Sequence, residues 1–135
     1  MANISEEVYM EIQVIRTYKD TEQIWLGLEE AGLRRKVFRA VDEAQLGAKQ
    51  IVAGLTIFEP GEACAPHSHP GSEEINFIVQ GTGVATDVTH GKKTRFQKHD
   101  FIFIPDGVEH IHANDGEEPL LLLWAYAPPG LLPTR

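Results

Sequence analysis

The chain has 135 residues, 42% hydrophobic and 24% charged, with 20 acidic against 12 basic residues, a net charge of −8 and one cysteine. That is one domain of ordinary globular composition, whose acidic balance argues against a nucleic-acid partner and whose single thiol excludes an intrachain disulfide or a cysteine-based zinc knuckle and fits a reducing, cytoplasmic setting. The opening MANISEEVYM has neither a basic nor an apolar leader region, and the longest apolar run, Leu120–Ala127, falls far short of the ~20 residues of a membrane helix.

In chain order, residues 6–18 are ambiguous, and the alternation of Val8, Met10, Ile12 and Val14 tips them towards a strand. Residues 21–31 read as a helix: Asp20 or Thr21 can cap it, Ile24, Trp25, Leu28 and Ala31 share a face, and Gly32 stops it. Residues 35–41 and 50–58 read as strands. Further short strands follow at 74–79, 84–89, 94–97, 101–104, 110–113 and 120–126, with His90-Gly91 turning the second into the third as a hairpin. Twelve glycines and eight prolines fall between these runs, so the fold class is all-β, a sandwich or barrel of the jelly-roll kind. The last run, LLLLWAYA, hardly alternates, which predicts that both its faces are covered, the outer one by a partner subunit.

Four of six histidines form two clusters, His67-Ser-His69, followed by Glu74, and His110-Ile-His112. Residues two apart on an extended strand share a face, about 6.6–6.8 Å apart, so two imidazoles can lean onto one ion at about 2.0–2.1 Å each. Glu74 opens the next strand, and His110 comes from one much further along, closing the site across a barrel. Three imidazoles and a carboxylate make a borderline site, unlike the all-oxygen sites of magnesium or calcium. The metal expected is one divalent transition ion, among iron, manganese, zinc, nickel, cobalt and copper. Asn76 and Ile78, in phase with Glu74, would line the same cavity. His112 shares the parity of His110 and is a candidate proton carrier. Gln50, Thr56 and Tyr126 are candidate polar wall residues, whereas His90 and His99 read as surface and Glu73 as outward-facing.

At these residues the chain resembles the cupin superfamily. That family's first motif is matched by Gly61, five residues, His67-Ser-His69, four residues, Glu74, six residues and Gly81. The spacing to Gly81 selects Glu74 over Glu73. The second is matched by Pro105-Asp106-Gly107, two residues, His110, three residues and Asn114, with one departure: His99 stands where the motif has a turn glycine. The resemblance implies a double-stranded β-helix barrel over residues 50–128 and, commonly, a homodimer. Residues 1–49 would then be an extension packed on the barrel or the partner, and 129–135 a tail.

Open positions on such a metal suit water, a small-molecule substrate or dioxygen. The expected function is therefore a metal-dependent enzyme on a small organic molecule, either a dioxygenase or a Lewis-acid isomerase, lyase or cyclase. The alternative is a non-catalytic sensor or metabolite-binding barrel, because one fold hosts many functions.

Overall fold

A computed structural model describes residues 11–130. In chain order these form α1 (Thr17–Asp20), β1 (Gln23–Leu26), β2 (Arg35–Val41), α2 (Glu43–Leu46), β3 (Val52–Phe58), β4 (Glu73–Gln80), β5 (Thr82–Asp87), β6 (Lys92–Gln97), β7 (Phe101–Ile104), β8 (His110–Ala113) and β9 (Leu120–Ala127). One sheet has six strands in the order β1-β2-β3-β9-β4-β7, and the other has three in the order β6-β5-β8. Every pairing is antiparallel.

The strands form because their side chains alternate between a core and an outer face. β3 shows it fully: Val52, Gly54, Thr56 and Phe58 face in, and the residues between them are only partly covered. On β9, Leu120, Leu122, Trp124 and Tyr126 face in. Val52, Phe58 and these four β9 residues join Val37, Ile78 and Phe96 in one core between the sheets. Gly54 is required by that packing, since a Cβ there would lie 2.3 Å from the Phe38 carbonyl and 2.5 Å from the Trp124 indole.

The all-β class holds, with three corrections near the N-terminus. The helix expected over 21–31 is absent. Gln23–Leu26 is a strand paired with β2 from Gln23↔Phe38 to Leu26↔Arg35. Ladder pairing overrides a coincidental helical spacing here. The hairpin is closed by Gly27 at φ 74°, where a Cβ would lie 1.7 Å from the Leu33 carbonyl oxygen. Trp25 faces outwards under the Lys36 ammonium, 5.5 Å from its ring centroid. The strand expected over 6–18 lies partly outside the described residues; residues 11–16 form no strand and Thr17 begins α1. A short helix that sequence patterning missed, α2, is capped by Asp42, whose carboxylate accepts from Gln45 N–H at 2.8 Å, and is ended by Gly47 at φ 73°.

From β3 onwards the expected strands are present within a residue or two at each end. His99 adopts φ 74°, so it takes the left-handed backbone that the motif glycine would take. Its N–H donates to the Ile78 carbonyl at 2.8 Å and its ring stacks on Phe77 with centroids 6.0 Å apart. The turn is thus docked on β4 without glycine. Asn114 is the other motif residue with a clear structural task. Its amide nitrogen donates to the carbonyls of Phe58 and Glu118, both at 2.9 Å, and its oxygen accepts from Gly116 N–H at 3.0 Å. No helix among the described residues is long and apolar enough to cross a membrane.

Candidate metal centre

The site lies between the sheets. His67 and His69 are carried by the loop before β4, Glu74 by β4 and His110 by β8. The loop is sewn to β8 by a two-way bridge: His67 N–H donates to the His110 carbonyl at 3.2 Å, and His110 N–H donates back at 2.9 Å. Two residues 43 apart in sequence are therefore held opposite each other by backbone alone, with ring centroids 4.3 Å apart.

Local hydrogen bonds also choose the ring nitrogens. His67 Nδ1 lies 2.9 Å from the Ala65 carbonyl, and His110 Nδ1 lies 2.9 Å from that of Val108. A carbonyl only accepts, so each Nδ1 carries the proton and each Nε2 keeps a lone pair facing the cavity. His69 is oriented by stacking on Tyr126, with centroids 4.4 Å apart and planes 18° apart. Ligand nitrogens of His67, His69 and His110 all lie within 4.8 Å of one another, so these three could hold an ion.

Glu74 adjoins them. Its Oε1 is 3.2 Å from His69 Nε2 and 3.7 Å from His110 Nε2. Glu74 Oε1 and His110 Nε2 are buried and neither makes a hydrogen bond. Such orphaned atoms are costly unless something else satisfies them, and a cation at their meeting point would do so. The donor set therefore fits a divalent transition metal. Glu73, next to it, is exposed and faces away.

Behind Glu74 stands a relay of neutral groups. Asn76 Nδ2 donates to Glu74 Oε2 at 2.8 Å, which leaves Asn76 Oδ1 to accept from His112 Nε2–H at 2.7 Å. His112 is thereby fixed as the Nε2–H tautomer. Burial holds its pKa down to about 3, with the Glu74 charge opposing, so the ring is neutral at ordinary pH. Burial likewise lowers His67 to about 4, helped by His110. Burial alone would raise the Glu74 carboxyl, but the contact from His69, the nearby His112 and His110, and the Asn76 amide reverse it, to about 2. Glu74 is thus a carboxylate with one oxygen claimed by Asn76 and the other turned to the histidines.

A cavity of about 30 Å³ opens beside this cluster, lined by His67, His69 and Glu74 and also by Arg35, Thr56 and Tyr126. Thr56 and Tyr126 stand where the strand parity puts them. Asn76 is fully buried in the relay, and Ile78 lies in the apolar core further along β4. Gln50 is exposed ahead of β3 and contributes nothing, because it precedes the first paired residue of that strand. Cys64 is buried, and its Sγ accepts from His112 N–H at 3.2 Å. Burial pushes its thiol pKa up. Arg35 was not singled out from the sequence; its parity with inward Val37 was the available signal. A second cleft, about 350 Å³, reaches His110 and His112 through the gap between β7 and the three-stranded sheet.

Residues 54–126 match the model of the cupin domain family. The chain is a cupin. Among curated relatives, the cupin is 32% identical over 117 residues to auxin-binding protein ABP19b of Prunus persica, covering 78% of this chain and 56% of that one. It is 33% identical over 81 residues to a gentisate 1,2-dioxygenase of Ralstonia sp, covering 60% of this chain and 22% of the enzyme. The chain thus spans only part of these relatives. Among solved structures, a predicted oxalate decarboxylase from Thermotoga maritima superposes with a TM-score of 0.70 at 22% identity, covering 85% of this cupin and 98% of that chain. At that identity the likeness speaks for the fold alone.

Proposed function

We propose that this cupin is a metal-dependent enzyme acting on a small organic molecule, with one divalent transition ion held by Nε2 of His67, His69 and His110 and by Glu74 Oε1. The observation that carries the reading is the set of convergent, buried lone pairs: two imidazoles locked as Nδ1–H tautomers, and a carboxylate oxygen beside them without a hydrogen bond. A bound ion would supply a Lewis-acid centre with positions open to a ligand oxygen. The protein's own groups orient and enclose it: Tyr126 holds His69, Asn76 holds Glu74, and Phe58, Leu122 and Trp124 keep water from the far wall. Similarity to a dioxygenase supports oxygen chemistry as one branch; a lyase or isomerase is the other. His112 fits an orienting role through Asn76 better than proton carriage, since it is buried and neutral.

Elemental analysis of protein purified from its own host tests the metal, with about one ion per chain expected and none in His67→Ala. Dioxygen consumption by the iron-loaded protein would select the oxidative branch. Turnover-free, saturable metabolite binding would select the sensor reading.

The proposal includes a homodimer formed through the outer face of the six-stranded sheet. Phe101 is 72% exposed there, Phe103 59%, Ile75 44% and Leu123 39%. Exposed apolar side chains gathered on one face suit an interaction surface, and a partner seated there would cover the outer face of β9, where Leu123 is exposed. Light scattering should give twice the chain mass, and Phe103→Glu should shift it to the monomer. A cytoplasmic setting belongs to the same proposal and is suited by the single, buried, unbridged cysteine.

A further inference from the structure

Of the four proposed metal ligands, all among the described residues, His69 is the one that lies in neither a strand nor a backbone bridge. Glu74 is part of β4, His110 is part of β8, and His67 is bonded to His110 in both directions. The His69 ring stacks on Tyr126, but where its backbone lies is decided by the turn that begins at it. That turn is His69-Pro70-Gly71-Ser72. Ser72 N–H donates to the His69 carbonyl at 3.0 Å and Gly71 adopts φ 87°, which with proline ahead of the glycine makes a type II β-turn. Glu74 follows two residues later, so the turn governs the approach of two ligands, 3.2 Å apart between His69 Nε2 and Glu74 Oε1. The turn's own hydrogen bond closes it without fastening it to the barrel.

Two side chains do fasten it. Asp106 Oδ1 accepts from Gly71 N–H at 2.6 Å, and Ser72 Oγ–H donates to the Pro128 carbonyl at 2.6 Å. The first mooring holds the central peptide of the turn to the connection between β7 and β8. The second holds the last residue of the turn to the chain just past β9. These are separate parts of the barrel, 35 and 56 residues further along the sequence than the groups they hold. The β-turn itself needs neither bond, since its one internal bond uses the N–H of the fourth residue and the carbonyl of the first. A carboxylate acceptor makes the first bond charge-assisted. The second is shielded, because Ser72 is 3% exposed. It also lies beside the His69 stack: a Cβ on Gly130 would be 3.4 Å from Ser72 Oγ and 4.0 Å from the Tyr126 ring.

Resting on the metal reading above, we infer that Asp106 and Ser72 are positioning residues of the metal centre. They moor the His69-to-Ser72 turn from two sides and so set how long His69 stays on a bound ion. Neither side chain touches the ion. Without a mooring, His67, Glu74 and His110 keep their strand and bridge supports, and His69 is the ligand that lets go first. Groups that orient a ligand in this way govern metal retention without supplying a donor atom.

The test uses full-length protein loaded with cobalt(II), mixed with excess EDTA, and the loss of the cobalt visible absorption is timed. Ser72→Ala should release the ion at least ~5-fold faster than wild type, and Asp106→Ala, whose bond is exposed, at least ~3-fold faster. Asp106→Asn keeps an acceptor oxygen for Gly71 N–H and should stay within ~2-fold of wild type. Asn114→Ala, which loosens the fold but touches no ligand side chain, should release at the wild-type rate. The inference is overturned if Ser72→Ala and Asp106→Ala both release at the wild-type rate. It is overturned if Asp106→Asn is as fast as Asp106→Ala, because charge and not the bond is then responsible, and if Asn114→Ala is as fast as either, because release then follows overall stability. If Ser72→Ala does not fold, the exposed Asp106 pair decides the matter alone. Failure of the wild-type protein to take up cobalt sinks the metal reading and this inference with it; uptake with unchanged release in the variants sinks this inference alone.

Discussion

Replacing Asn114 should cost the fold much and the metal little. Its side chain makes three bonds that tie two pieces of chain together: the end of β3 through Phe58, and the loop between β8 and β9 through Gly116 and Glu118. Asn114 is 2% exposed, so water does not replace these bonds when the side chain is cut back. Each lost bond is worth about 0.5–1.5 kcal/mol net, and a buried carbonyl left without a donor costs about 1–3 kcal/mol. Asn114→Ala should therefore destabilise the metal-free protein by about 3–4 kcal/mol, a large part of the ~5–15 kcal/mol typical of a domain. Asn114→Asp is the sharper probe. It keeps the shape but turns a carboxylate oxygen towards two carbonyl oxygens, so the loss should be at least as large. Urea unfolding followed through the fluorescence of Trp25 and Trp124 gives the difference directly. Losses below ~1 kcal/mol in both variants would refute the view that this side chain is a three-bond tie. Asn114 touches no ligand side chain, so metal affinity of the folded variants should remain close to wild type.

Acid should weaken the metal-free protein. His67 and His112 are held by burial at about 4 and about 3, below the ordinary 6.5. The unfolded chain then binds more protons than the folded one between those values and 6.5, so stability falls as pH drops through that window and is level above it. For His67 alone the loss approaches ~3 kcal/mol, readable as a falling urea midpoint between pH 7.5 and 4; a flat profile would contradict it. Gly54→Ala should destabilise by at least ~2 kcal/mol or prevent folding, because the new methyl meets the Phe38 carbonyl and the Trp124 ring; a melting temperature within a degree of wild type would oppose that packing. His99→Gly should raise stability by up to ~1 kcal/mol, as glycine takes φ 74° without a Cβ penalty. A fall in its urea midpoint would mean that the stacking on Phe77 outweighs the backbone strain.

The parts of this fold legible in the sequence were those where a single rule decides the outcome. Short apolar runs punctuated by glycine and proline locate the barrel strands from β3 to β9, and the spacing of His67, His69, Glu74 and His110 places them round one point because inward parity and ladder pairing leave little choice. The parts that were not legible depended on pairing at a distance. Ile24, Trp25, Leu28 and Ala31 satisfy a helical spacing, yet residues 23–26 become a strand because β2 offers a ladder and Gly27 a tight reversal. Arg35 sits in a run of basic residues that reads as a solvated face; only its parity with Val37 sends it inside. His112 shares the parity of His110, but nothing in the sequence reveals that Asn76 lies within 2.7 Å of it.

The paired backbone bonds between His67 and His110 give the molecule a built-in reporter. Both amide hydrogens are engaged in that one bridge, and neither depends on the imidazoles being neutral or on an ion being present. Their exchange with deuterated solvent therefore times the separation of the loop from β8, while ring chemistry would time the loss of a bound ion. If the ion leaves while both amides stay protected, the empty cavity is a preformed mould. If protection vanishes with the ion, the loop closes only around its cargo, and the cavity walls are assembled anew at each loading.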